Sequence, residues 1–232
     1  ADGGLVGAAG AADPGGAPGP GGGQRTTPPR PDSTDGYSQL LIVALRHTPG
    51  QPELPSVDRE RDLLVRLFPS RHTLREGPAA TRHAVRHELT RHAWAHLSCH
   101  GNQYPDDPSR GGLLLYDGML TVVDLTADDH QGEFVFLSAC KTAIGGVRVL
   151  DEAITLATAL QHAGWRHVIA TLWSVWDIAA AEVTEEVYTR LANAGELHPQ
   201  HAAEALHHAI RRLRKGAPHR PSRWVPFLHH GP

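Results

Sequence analysis

From residue 39 onward, short apolar runs alternate with stretches whose apolar positions recur at helical spacing. Gln39–Leu45 (QLLIVAL) has the look of a strand buried on both faces. Ser56 then stands where an N-cap would, ahead of a helix to about Leu67 whose apolar stripe is Val57, Leu63, Leu64 and Leu67. Arg71–Leu74 reads as a short strand, and Pro78 falls in the first turn of a second helix. That helix turns Ala80, Val85 and Leu89 inward and Arg82, His83, Arg86 and Arg91 outward. Ala93–Ser98 (AWAHLS) is the next central strand and runs into Cys99-His100-Gly101. Leu113–Tyr116 and Met119–Val123 flank Asp117-Gly118, the pattern of a hairpin with a type I′ turn.

Glu133–Ser138 (EFVFLS) is a further strand, leading into Ala139-Cys140. Leu150–Ala163 is helical with Gly164 as its stop, and His167–Leu172 (HVIATL) is another buried strand. Helices over about Asp177–Ala194 and His201–Lys215 and a short apolar end at Trp224–Leu228 complete the pattern. Apolar strands alternating with amphipathic helices predict a mainly parallel sheet with helices on both faces, a single α/β sandwich over residues 37–232.

Composition changes the picture at one end. Eleven of residues 1–36 are Gly and six are Pro, with almost nothing apolar larger than Ala. Such a segment cannot bury enough surface to offset its ordering entropy and is expected to be a flexible linker. A formal charge of −3 gives no basic excess for nucleic acid. His167–Trp176, the longest strand-core run without an ionised side chain, is ten residues, well short of the roughly 20 that span a membrane. Leu5–Ala12 is too weakly apolar for a secretory leader, and a chain starting at Ala1 is expected to be a fragment. Two cysteines exclude a disulfide scaffold.

In open parallel sheets, functional residues gather beyond the carboxyl ends of the strands. One strand here delivers Cys99 and His100 and another delivers Cys140, so neighbouring strands would set His100 beside Cys140. An imidazole activates a thiol by taking its proton, and Gly101 offers an amide that a developing oxyanion can approach closely. The pattern alone leaves two readings open, a working pair and unrelated core residues.

Ser98-Cys99-His100-Gly101, followed forty positions after the histidine by the cysteine of Leu137-Ser138-Ala139-Cys140-Lys141-Thr142-Ala143, resembles the CHAT family of caspase-like cysteine peptidases. The likeness continues through Gly145-Gly146, Asp151–Ala163, His167–Val175 and Trp224–Phe227, from about Leu40 to Leu228. It implies a caspase-like three-layer sandwich and a bacterial, cytoplasmic endopeptidase acting on protein or peptide substrates without metal or cofactor. His100 would be the general base and Cys140 the nucleophile that forms a thioester. The backbone amides of Gly101 and Cys140 would make the oxyanion hole. Trp173, Ser174, Val175 and Asp177 would line the substrate groove, where an extended peptide could add to the strand edge. Asp177 or Asp151 would favour a basic residue before the cut, or else serve as a helix cap. Lys141 and Trp176 depart from the usual family residues and would reshape that pocket.

The resemblance also implies regulation by a module upstream of the linker. The alternative is a latent or catalytically silent domain serving as an interaction module. Asn102–Gly111, polar and next to His100, is a candidate gate. Cys99 should face away from His100 into the core. His87-Glu88 and His92 are five residues apart rather than the four a zinc-peptidase helix requires. His83 and His87 have metal-pair spacing without a third ligand and read as a solvated face, as do His207-His208 and His229-His230.

Overall fold

A computed structural model of the chain describes residues 39–102, 104, 107–138, 156–172, 175 and 177–232. The side chains of Pro108 and Asp177 and the Gly/Pro-rich segment 1–36 lie outside the described residues.

Six strands form the main sheet: β1 (Leu40–Ala44), β2 (His72–Glu76), β3 (Trp94–Ser98), β7 (Phe134–Leu137), β8 (His167–Thr171) and β11 (Phe227–His230). Their spatial order is β2-β1-β3-β7-β8-β11. The first five run parallel, and β11 closes the edge antiparallel to β8. A second, antiparallel sheet is built from β4 (His100–Asn102), β5 (Gly112–Leu115) and β6 (Gly118–Thr121). A two-residue ladder, β9 (Ala192–Asn193) with β10 (Glu196–Leu197), joins two helices.

Alternation along the strands divides the interior into two cores. Leu41, Val43, Leu97 and Val135 pack with α2 (Arg82–Leu89), α3 (Val122–Thr126) and α4 (Leu156–His162) on one side. Leu40, Ile42, Phe134 and Phe136 pack with α1 (Ser56–Leu67), α5 (Asp177–Leu191) and α6 (Ala202–Gly216) on the other. The result is the expected three-layer sandwich with a mainly parallel sheet.

Local chemistry corrects several boundaries. Ser56 is the first residue of α1 rather than its cap; the N-cap position is Pro55. The second helix starts four residues after Pro78, because Gly77–Ala79 forms a 3₁₀ turn and Thr81 caps α2, accepting from the Ala84 amide at 3.2 Å. The hairpin turns on Tyr116-Asp117 with Leu115 opposite Gly118. Neither turn residue has positive φ, so the turn is not type I′; the left-handed angle falls on Gly118, at φ 135°. Val122 and Val123 belong to α3, because a reciprocal capping box between Thr121 and Asp124 starts the helix there. Gly164, with φ 108°, ends the α4 segment as its sequence predicts. The polar stretch after Gly101 is not a free loop throughout: Asn102 is in β4 and Pro108–Arg110 is a 3₁₀ turn.

Candidate active site

Two neighbouring strands point at one place. β3 and β7 pair in parallel, and the last matched residues are Leu97 and Leu137. His100 follows Leu97 by three residues, and Cys140 follows Leu137 by three. Cys140 itself lies outside the described residues, so the structure gives the approach to it and not its side chain.

His100 lies among the described residues. Its backbone belongs to β4, which pairs antiparallel with β5, placing His100 opposite Leu114 and Gly101 opposite Leu113. The side chain is buried, at 4% exposure. Nε2 lies 2.9 Å from the carbonyl oxygen of Pro52, in the segment before α1. A carbonyl can only accept, so Nε2 carries the proton and donates it. Nδ1 is then the basic nitrogen, and it has no hydrogen-bond partner among the described residues. Nothing in the sequence marks Pro52 for this role, since a main-chain carbonyl has no residue signature.

A buried polar cluster lies behind the strand ends, in the core shared with α1 and α5. Glu60 is only 2% exposed and sits on the inward stripe of α1 between Val57 and Leu64. Its Oε2 accepts from the Ser98 hydroxyl and from His96 Nε2 at 2.9 Å, and its Oε1 accepts from the Ser138 hydroxyl at 2.9 Å. The His96 ring sits against Phe136 and Tyr188, with centroids 5.2 and 5.4 Å away. Burial, reinforced by the Glu60 carboxylate, pushes the Tyr188 phenol well above its ordinary 10.0 and keeps it neutral. The sequence held a signal for this cluster. A carboxylate at Val57 + 3 interrupts an apolar stripe, and His96 and Ser98 share one face of a strand buried on both sides.

The expected groove is only partly described. Trp173, Ser174, Asp151 and the side chain of Asp177 lie outside the described residues, as do Lys141 and Trp176. Val175 is buried in the second core, which leaves only its main chain to face a groove. The edge of β8 is also less open than expected. β11 pairs along it from His230–Val168 to Phe227–Thr171, and the Leu172 amide donates to the Pro226 carbonyl at 2.9 Å. Through residue 172 the chain's own C-terminal strand occupies the position of an added peptide.

Comparison with known proteins decides the family. The CHAT domain family model matches residues 22–232. The chain belongs to the CHAT domain family. Solved structures agree on the fold. The complex of Porphyromonas gingivalis RgpB pro- and mature domains superposes on the CHAT chain with a TM-score of 0.54 at 11% identity, covering 85% of this chain and 48% of that one. The Arg specific cysteine proteinase gingipain R (RgpB) superposes with a TM-score of 0.52 at 14% identity, covering 85% and 46%. The CHAT chain therefore spans about half the length of either structure. No curated protein sequence matches it.

The remaining candidates of the CHAT domain sort by burial. Cys99 is fully buried in the first core, on the opposite face from Ser98, as strand alternation predicts. His83 and His87 lie side by side on the exposed face of α2, rings 6.5 Å apart. No group of three His, Cys, Asp or Glu suited to a metal occurs among the described residues. His229 departs from the surface role expected of it: it is half-buried, and its Nε2 lies 3.1 Å from His167 Nδ1 across the β8–β11 pair. No helix among the described residues is long and apolar enough to cross a membrane.

Proposed function

We propose that this CHAT domain is a cysteine endopeptidase in which His100 is the general base and Cys140 the nucleophile. The observation that carries the reading is the contact of His100 Nε2 with the Pro52 carbonyl, which holds the proton on Nε2 and leaves Nδ1 as the acceptor nitrogen, without a partner among the described residues, just beyond the end of the β3–β7 ladder. His100 Nδ1 takes the proton from the Cys140 thiol. The thiolate attacks the carbonyl carbon of the scissile peptide bond, and the carbonyl electrons move onto oxygen. The amides of Gly101 and Cys140 stabilise that oxyanion. As it collapses, the imidazolium gives its proton to the leaving amine and a thioester remains. Water, deprotonated by His100, then cleaves the thioester and restores the thiol.

The substrate class is a protein segment in extended conformation. A basic residue before the cut is the preference to test first, because one structural neighbour is an Arg specific proteinase and Asp177 and Asp151 supply carboxylates in this chain. The Gly- and Pro-rich residues 1–36 suit a tether to a regulatory module.

A peptide-based thiol-reactive electrophile tests the reading, with the adduct located by mass spectrometry in wild type, Cys140→Ala and His100→Ala. Rapid labelling at Cys140 that slows sharply in His100→Ala is the expected result. Labelling without preference for Cys140, or indifferent to His100, would overturn it and leave a latent domain or a pure interaction module. Matched probes with Arg, Lys or Leu before the electrophile then report the preferred residue.

A further inference from the structure

We propose that Glu60 is a positioning residue for the thiol–imidazole pair: its carboxylate joins the ends of β3 and β7 and thereby sets the separation of His100 from Cys140. The inference rests on the reading of those two residues as base and nucleophile.

The geometry divides the carboxylate between the two strands. Oε2 is bound to β3, through His96 and Ser98. Oε1 is bound to Ser138, the residue that follows β7. Ser98 stands two residues before His100, and Ser138 stands two residues before Cys140. The backbone ladder between these strands stops at Leu97 opposite Leu137. Both serines lie one residue past that last pair. Glu60 therefore takes over where main-chain pairing ends, and it does so from a helix 38 and 78 positions away in sequence.

Stability alone does not account for the arrangement. Removing a carboxylate from water is costly, and well-packed apolar residues of similar volume often serve a core as well or better. Val57 and Leu64 show what this stripe of α1 otherwise carries. A carboxylate differs from a leucine in direction: it gives two acceptor sites at a fixed angle, each locked by hydroxyl or imidazole donors. The donors are themselves confined. His96 packs against both Phe136 and Tyr188, while Ser98 and Ser138 are buried. A base and nucleophile misplaced by about 1 Å lose up to about a hundredfold in rate, so a fixed spacer at this point has a direct consequence for the chemistry.

The test is the pH dependence of Cys140 alkylation by iodoacetamide in the full chain, with the modified residue identified by mass spectrometry and the melting temperature recorded in parallel. In wild type, Cys140 should alkylate well below the ordinary thiol range, and His100→Ala should remove that low-pH limb. Glu60→Gln keeps the side-chain volume but gives up one acceptor oxygen. It should slow Cys140 alkylation at pH 7 by about tenfold and move the limb toward the ordinary thiol value of about 8.5. For a cleavable peptide it should lower kcat with little change in KM. Ser138→Ala and Ser98→Ala should act in the same direction by about threefold each.

A folded Glu60→Gln with the wild-type profile would overturn the proposal and leave the dyad standing. A wild-type profile indifferent to His100→Ala would overturn the dyad and this proposal together. Should Glu60→Gln fail to fold, the two serine variants decide, and unchanged profiles in both would overturn the role of Glu60.

Discussion

The two faces of the central sheet are built by different rules. On the side covered by α2, α3 and α4, the central strands β1, β3 and β7 present Leu41, Val43, Ala95, Leu97, Val135 and Leu137, all apolar; the polar contacts of that side lie at its edge, where Thr73 and Arg75 of β2 meet His92 and Glu88. On the side covered by α1 and α5, the same strands present Leu40, Ile42 and Phe136 but also His96 and Ser98, answered by Glu60. His96, Ser98 and Ser138 gather toward the carboxyl ends of β3 and β7, next to the segments that lead to His100 and Cys140, whereas the His167–His229 contact lies at the amino end of β8. Over the central strands, one face packs apolar side chains, while the other spends part of its core on directional contacts beside the segments that lead to His100 and Cys140.

The largest effect expected of any variant is on the chemistry. His100→Ala should reduce peptide cleavage and Cys140 labelling by roughly 10²–10⁴ while leaving the circular dichroism spectrum unchanged. The next tests set the two faces against each other. Leu97→Ala, on the apolar face, should destabilise the domain by about 2–5 kcal/mol in urea unfolding. Its labelling rate per folded molecule should stay near wild type. Glu60→Leu, on the other face, strands the hydroxyl donors of Ser98 and Ser138, each at a cost of about 1–3 kcal/mol, while His96 Nε2 keeps the Ser98 hydroxyl at 3.0 Å. Replacing all four together (Glu60→Leu, His96→Phe, Ser98→Ala, Ser138→Ala) should recover most of that stability, since no buried donor is left without an acceptor. Labelling of Cys140 should remain slow. A fully apolar cluster that labels at the wild-type rate would erase the distinction between the faces.

A smaller effect concerns acid. Burial holds His92, His167 and His229 below their ordinary value of 6.5, and for His167 and His229 a neighbouring cationic charge adds to it. A histidine with a lowered folded-state pKa binds fewer protons folded than unfolded, so stability is complete above about pH 6.5 and is lost as pH falls through the folded value. The melting temperature should therefore fall between neutral pH and pH 5. His229→Gln, which relieves the His167 contact at 3.1 Å, should flatten that slope. Carboxylates give a separate, more acidic step. Asp128 is held down by the Arg86 guanidinium and Glu186 by that of Arg212, and the stability they supply disappears only as they protonate. Cys99→Ala should have the smallest effect, about 1 kcal/mol in unfolding and none on the rate at Cys140.

Consecutive residues carry much of the fold. Strand runs such as Leu40–Ala44 and Phe134–Leu137 carry their burial in composition, and helices such as Ala202–Gly216 carry theirs in a 3.6-residue period. The capping box of Thr121 and Asp124 is equally local, and it ends the strand two residues before the apolar run does. Half the candidate site was legible in the same way, because a histidine and a cysteine after two buried strands are a property of order along the chain.

The amino-acid sequence by itself determined the alternating elements, the two faces of each strand, the placement of Cys99 in the core and the pairing of the His100 and Cys140 motifs in their family order. Only the tertiary structure decided that Pro52 sets the His100 tautomer, that Glu60 spans the two strand ends, that β11 occupies the β8 edge and that His229 meets His167. The physical reason is one of range. Periodicity and capping are settled by neighbours a few positions apart, whereas the partner of a buried polar group depends on which crossover brings which helix over which strand end. No short window of the chain contains that information.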